Sequence, residues 1–247
     1  MLNQSLYPAI FTRKSIRKWA DTPLSAAQLK EVQALIDALV PLFPNEPLKL
    51  ELKPRKDSSK YRIYAYCENT IRGNVNVGYA LQQLDLAAHN AGLGSLWFGM
   101  GREPSDIKDA APLSYSICMK IGNADEPIAR KTRDEFSRRG ISEVIADRSL
   151  QGSFEAVRLA PSASNTQPAF FVKDGDSIHV FCQKLGLIKA RLYGKMNQVD
   201  VGIALCHAVL ALEHDGYAID DVSAAEIPPA DPPAGCYYIA TVRIRAD

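Results

Sequence analysis

VNVGYALQQLDLAAHNAG, residues 75–92, and VDVGIALCHAVLALEHDG, residues 199–216, are two versions of one segment. At a constant offset of 124, Val75, Val77, Gly78, Ala80, Leu81, Leu86, Ala87 and Gly92 meet identical residues. Both stretches carry apolar residues at helical spacing and stop at glycine, a usual C-terminal breaker. Their flanks repeat as well. A β-like run ending in aromatic-Cys precedes each helix, YRIYAYC (61–67) and SIHVFC (177–182). Another follows each, SYSICMKIG (114–122) and CYYIATVRI (236–244). Further upstream, RKSIR (13–17) meets RRGIS (138–142) at an offset of 125, and VPLFPNEPLKLEL (40–52) meets APSASNTQPAFFV (160–172) at an offset of 120. The order helix, strand, strand, helix, strand thus occurs twice. It predicts an α+β chain of two tandem homologous halves, residues 1–137 and 138–247, with mixed, mainly antiparallel sheets flanked by helices and no flexible linker.

Composition narrows the function classes. A chain of 247 residues can bury an ample core. A net charge of +1 creates no global field toward nucleic acid or anionic membrane, so neither is expected as a partner. The opening MLNQSLYPAIFTRKSIRKW lacks the apolar core of a signal peptide, and no 18-residue apolar run occurs. Five cysteines (Cys67, Cys118, Cys182, Cys206 and Cys236) lie far apart without a CxxC pair. That odd number suggests a reducing compartment, and a cytoplasmic protein is expected. Cys67, Cys182 and Cys206 fall in strand-like or helical runs and read as small buried hydrophobes. The histidines His89, His179, His207 and His214 show no metal spacing. GxSxG, Walker and GxGxxG signatures do not occur, which leaves hydrolase and nucleoside-triphosphate chemistry without support.

Four stretches could carry chemistry. In RKSIR, Arg13, Lys14, Ser15 and Arg17 could form an oxyanion cradle, because guanidinium binds phosphate bidentately; alone the stretch also reads as a basic turn before a helix starting near Ser25. Arg130, Lys131 and Arg133 follow the strand ending at Gly122 and could equally be a charged linker. In APSASNTQP (160–168), Pro161 and Pro168 stiffen a loop that offers Ser162, Ser164, Asn165 and Gln167 to the edge of a polar ring; a capped turn is the plainer reading. In GLGSLWFGMG (92–101), glycines permit close backbone approach to a ligand, and Pro104 in the following REPSD suits the first turn of a helix.

Together these stretches resemble the FMN-dependent nitroreductase superfamily, in an internally duplicated, single-chain form. RKSIR is similar to its Arg-x-Ser-x-Arg/Lys opening, APSASNTQP to its Pro-Ser-x-x-Asn-x-Gln-Pro loop, NVGYALQQLDLAAHNAGLGSLWFG to its central helix and glycine turn, and KTR to its late Lys-x-Arg. The resemblance implies a fold that is normally a homodimer with two FMN at the interface, each held by basic residues of one subunit and the Pro-Ser loop of the other. It places Arg13, Ser15, Lys131 and Arg133, with Lys14 beside them, on the phosphate, and Arg17 on the N1/O2 side of the ring. Pro161, Ser162, Ala163 and Asn165 line the ring, together with Ser164 and Gln167 of the same loop. The backbone of Gly99 and Met100 lies near N5, and no side chain is implied as a catalyst.

The implied activity takes hydride from NADH or NADPH and passes it to a small electrophilic acceptor such as a nitroaromatic or quinone. A flavin-binding protein or pseudoenzyme, or a flavin-dependent dehalogenase or flavin-fragmenting enzyme, is the alternative. The two halves are complementary. The first keeps the basic motif beside a degraded loop, VPLFPNEPL; the second keeps the loop beside a degraded motif, RRGIS. One FMN per chain and a monomeric pseudo-dimer, or at most a weak homodimer, are therefore expected. Arg13 and Arg133 are expected at the surface of the empty site. The family's helical excursion after the Pro-Ser loop does not occur here, and Arg191, Tyr193, Lys195 and Asn197 are candidates to replace it.

Overall fold

Ser25 starts the first helix as expected: its hydroxyl accepts from the Gln28 amide and the Gln28 side chain accepts from the Ser25 amide, a capping box. The computed structural model describes residues 2–54, 60–99, 101, 112–224 and 231–246, without the side chains of 187–192 and 246. The first half runs α1 (Ala26–Asp37), β1 (Leu48–Pro54), β2 (Tyr61–Cys67), α2 (Ile71–Asn90), β3 (Gly94–Phe98) and β4 (Ser114–Gly122). The second runs α3 (Gln151–Arg158), β5 (Ala169–Asp174), β6 (Ser177–Gln183), α4 (Leu187–His214), β7 (Tyr217–Ser223) and β8 (Cys236–Ala246). The fold is α+β, with two antiparallel four-stranded sheets of the same connectivity, β1-β2-β4-β3 and β5-β6-β8-β7. Each sheet carries its register shift at the matching place, between Ala65 and Tyr66 in one and Val180 and Phe181 in the other. Matching edge-on aromatic pairs follow: Tyr66 with Tyr115 at 6.0 Å and Phe181 with Tyr238 at 6.1 Å.

Two strands escape the sequence pattern. GLGSLW was read as a glycine turn, yet Gly94–Phe98 pairs with β4 from Gly94 opposite Gly122 to Phe98 opposite Cys118. Its counterpart β7, YAIDDVS, has no fully buried residue and two adjacent aspartates. Both are edge strands whose backbone is satisfied by a neighbour, so local propensity says little about them. Helix α4 also begins at Leu187, well ahead of the position matching the start of α2, which turns the candidates at 191–197 into helix.

The paired helices lie at the centre. α2 packs on the first sheet, α4 on the second, and the two meet along their length. Both are therefore buried around most of their circumference over the repeat, and the one-sided amphipathicity of a surface helix is lost. Close approach is possible because Gly78 and Gly202, matching residues at the offset of 124, lie where the backbones cross. Nearby, Asn74 donates to Gln198 Oε1 at 2.9 Å, another matching pair. One continuous apolar core, from Ile63 and Leu81 through Phe171 to Val242, spans both halves. All five cysteines are reduced, and four are buried. Among the described residues, no helix is long and apolar enough to cross a membrane, and no cluster of His, Cys, Asp or Glu could hold a metal.

Candidate functional site

A cavity of about 310 Å³ lies between the halves. The first half contributes Ser15, Arg17, the end of β3 (Leu96, Trp97, Phe98, Gly99) and Ile117 of β4. The second contributes Pro161, Ser162, Ala163 and Ser164 of the loop and Tyr193, Met196, Asp200 and Ile203 of α4. Two sequence stretches about 145 residues apart are thus brought to one hollow.

The basic segment is held by its alternation. Ile16 donates its amide to the Ser95 carbonyl at 2.9 Å and buries its side chain beside Gly94, so Ser15 and Arg17 on either side face outward. Glu126 fixes the backbone beyond: one carboxylate oxygen accepts from the amides of Arg17 at 2.6 Å and Lys18 at 2.8 Å, and the other from Lys14 Nζ at 3.0 Å. These donors hold the Glu126 carboxyl down at about 2.

Arg13 has a different place from the expected one. It is 2 % exposed, its Nη1 lies 2.8 Å from Asp85 Oδ2, and Asp85 Oδ1 also accepts from the Ser95 hydroxyl. Its side chain is thus part of the core rather than the surface of an empty site, because α2 supplies a buried carboxylate opposite it. Lys131 and Arg133 are exposed; Arg133 lies over the Phe11 ring at 4.7 Å. The band between the halves is nevertheless rich in guanidinium: Arg130 lies 4.1 Å and Arg138 5.7 Å from the Phe136 ring centre. Burial, with Arg13, Arg130 and Arg158 close by, lowers Arg138 to about 10. The Nε atoms of Arg13 and Arg138 are buried without a partner.

The Pro-Ser loop is strained. Ser164, Asn165 and Gln167 have φ of 51°, 56° and 50°, a left-handed region that non-glycine residues enter at a cost of about 1 to 3 kcal/mol each. Side chains lock it there. The Ser162 hydroxyl accepts from the Gln167 amide at 2.9 Å, and Asp200 accepts the Ala163 amide on both oxygens at 3.1 and 3.0 Å. Asn165 accepts from Arg138 at 2.8 Å and donates to the Ser137 carbonyl at 2.9 Å, while Gln167 accepts from the Arg139 amide at 2.8 Å. Pro161 through Ser164 face the cavity, while the Asn165 side chain and the Gln167 side-chain oxygen tie the loop to the chain at 137–139. This polar loop therefore serves two purposes, a cavity wall and a clamp on its own half.

Gly99 also borders the cavity, where a Cβ would lie 2.5 Å from Met196 Sδ. Met100 and the REPSD segment lie outside the described residues. Of the suggested replacements for the excursion, Tyr193 reaches the cavity, Lys195 donates to the Tyr115 carbonyl, and Asn197 accepts from Thr166 at 3.5 Å; the Arg191 side chain is outside the description. Sequence reasoning passed over Trp97, Met196 and Asp200. For Asp200 a signal was present: it stands where the first repeat has Asn76.

The lining suits a flat aromatic group with a polar edge. Apolar faces come from Leu96, Trp97, Phe98, Ile117, Met196 and Ile203, polar groups from Ser15, Arg17, Ser162 and Ser164. The Trp97 Nε1 is buried without a hydrogen-bond partner. Ring, polar edge and surplus guanidinium together fit FMN.

A family model described as "Putative TM nitroreductase" matches residues 5–212. A "putative nitroreductase" from Thermotoga maritima MSB8 is similar in structure, with a TM-score of 0.66 at 19% identity, over 96% of this chain and 93% of that one. At that identity the likeness shows the fold. A "putative nitroreductase" in complex with FMN from Desulfovibrio desulfuricans has a TM-score of 0.43 at 20% identity, over 57% of this chain and 98% of that one. A "putative NADH dehydrogenase/NAD(P)H nitroreductase" from Parabacteroides distasonis has a TM-score of 0.43 at 18% identity, over 58% and 97%. No curated protein matches the chain.

Proposed function

The chain belongs to the family described as "Putative TM nitroreductase", and from that premise we propose an FMN-dependent oxidoreductase that takes electrons from NADH or NADPH and reduces a nitroaromatic, quinone or similar electrophile. One observation carries the reading: a cavity formed by Ser15 and Arg17 of the first half and Pro161–Ser164 of the second. FMN, when bound, supplies hydride acceptance and donation; the protein binds, orients and sets the electrostatics. Arg17 would place positive charge at the polar edge of the ring and favour its reduced, electron-rich form. Ser15, Lys131 and Arg133, with Lys14 beside them, would bind the phosphate. Pro161, Ser162 and Ala163 would cover one face, and Gly99, adding no side chain of its own, would let its backbone approach the opposite edge. Protons are exchanged with solvent unless a cavity group holds one. The test is colour: yellow protein bleached by NADH or NADPH without oxygen is expected. Yellow protein that stays unbleached supports a flavin carrier instead.

The duplication sets the stoichiometry in this reading. The counterpart cavity, about 290 Å³, has Pro41, Leu42 and Pro44 in place of the Pro-Ser loop and Tyr79 in place of Ile203. Its lining carries the carboxylates Glu213 and Asp221 and, among the described residues, neither lysine nor arginine. Losing two or three charge-assisted contacts costs about 3 to 9 kcal/mol, enough to abolish micromolar binding. One FMN per chain is expected, and a fragment ending at residue 137 should bind none although it keeps every basic ligand. Titration giving two equivalent flavins, or full affinity in the fragment, would overturn the shared site. Because the core already spans both halves, a monomer is expected in light scattering; a dimer persisting at nanomolar concentration would contradict it.

A further inference from the structure

Asp200 is 5 % exposed, lines the cavity and has no cation paired with it among the described residues. Its two oxygens share the Ala163 amide, at 3.1 and 3.0 Å. The chain holds its own control for this position. Asn76, the matching residue of α2, does the same task in the first half: its Oδ1 accepts from the amides of Leu42 at 2.8 Å and Phe43 at 3.1 Å, and its Nδ2 donates to the carbonyls of Phe43 and Glu46. An amide therefore suffices to anchor such a loop to the central helix. Where the loop borders the cavity that also holds Ser15 and Arg17, an acid stands instead. What a carboxyl adds to an amide is an exchangeable proton.

We propose that Asp200 carries a proton for this site and presents its carboxyl O–H as a hydrogen-bond donor to an acceptor atom of the flavin seated in the cavity. The proposal rests on the flavin reading above. The Ala163 amide lies within reach of both oxygens, at 3.1 and 3.0 Å, so in the protonated form one oxygen accepts it while the other carries the proton. Burial without a cation pushes this carboxyl up to about 8, so it enters neutral pH protonated. The charged and titratable groups around it do not reverse this. Arg17, across the cavity, is solvent-exposed; Arg158 on α3 forks onto Glu155 at 2.7 and 2.5 Å; Tyr193 lies on the same helix; Cys182 of β6 is itself held up by burial. A carboxylate would instead aim negative charge at the electron-rich edges of the ring and has no proton to donate. Binding and protonation are consequently linked.

Two measurements test this on wild type and Asp200→Asn. The first is urea denaturation of the flavin-free protein against pH. The unfolded carboxyl ionises near its ordinary value of 3.8 and the folded one only near 8, so the contribution is full below pH 4 and is lost as pH rises toward 8. Asp200→Asn should match wild type at low pH, exceed it at pH 8 and lack that slope. The second is FMN affinity by fluorescence titration. In wild type it should fall about tenfold per pH unit above pH 8, as expected when only the protonated form binds. In Asp200→Asn the amide N–H donates in place of the carboxyl, so affinity should stay level. Equal stability slopes in the two proteins, or the same FMN profile in both, overturn the proposal. Failure of wild type to bind FMN at any pH overturns the flavin reading, and the donation to flavin with it, even where the stability slope shows the buried proton.

Discussion

Gly202→Ala should lower stability by about 3 kcal/mol or more, the upper range for forcing an extra methyl into a packed core. A Cβ on Gly202 would overlap the carbonyl oxygen of Val75 in the facing helix, with the Tyr79 amide nitrogen at 2.9 Å behind it. Gly78 faces the same obstacle in the Val199 carbonyl. Both obstacles are backbone, so no rotamer relieves them, and α2 and α4 would have to separate. Alanine is the better helix former by about 1 kcal/mol, which offsets only part of the loss. Gly194, also in α4, supplies the control: a Cβ there meets nothing within 4 Å, and Gly194→Ala should be neutral or stabilising by up to that amount. Urea midpoints decide it. A Gly202→Ala protein as stable as wild type would mean that the helices do not cross as described.

Asp85→Ala is expected to cost about 3 to 5 kcal/mol, the range for removing one partner of a buried ion pair. Arg13 would keep its charge in the core with its Nη1 partner gone and Nε already unpaired, and the Ser95 hydroxyl would lose its acceptor. Arg13→Ala strands the Asp85 carboxylate in the same way, so it is expected to weaken the fold as well as the flavin site. Replacing both residues by leucine should recover most of the loss, because an apolar pair of similar volume carries no stranded charge. A double-mutant cycle by urea denaturation measures the coupling. Single variants costing under about 1 kcal/mol would show that the pair contributes little.

How much of this was legible beforehand differs by element. Ser25 and Gln28 announced α1 through a local reciprocal cap, and YRIYAYC and SYSICMKIG announced their strands through β-rich runs bounded by polar residues. The edge strands β3 and β7 were not legible, since glycines and paired aspartates hide them and only the partner strand β4 or β8 satisfies their backbone. In the site, Ser15, Arg17 and Pro161–Ser164 line one cavity. The inward turn of Arg13 does not, because its carboxylate partner is 72 residues away on α2.

By itself, the sequence determined the internal repeat, the α+β class, and the separation along the chain of the basic motif RKSIR from the loop APSASNTQP. These are properties of order along the chain, and periodicity and offset record them directly. Only the tertiary structure decided which arginine faces the cavity and which is spent on the core, which residues of the loop line the cavity, and that Asp200 stands on its wall with no cation paired to it among the described residues. Those outcomes depend on what lies across an interface, and burial and the nearest opposite charge are set by contacts between residues far apart in sequence.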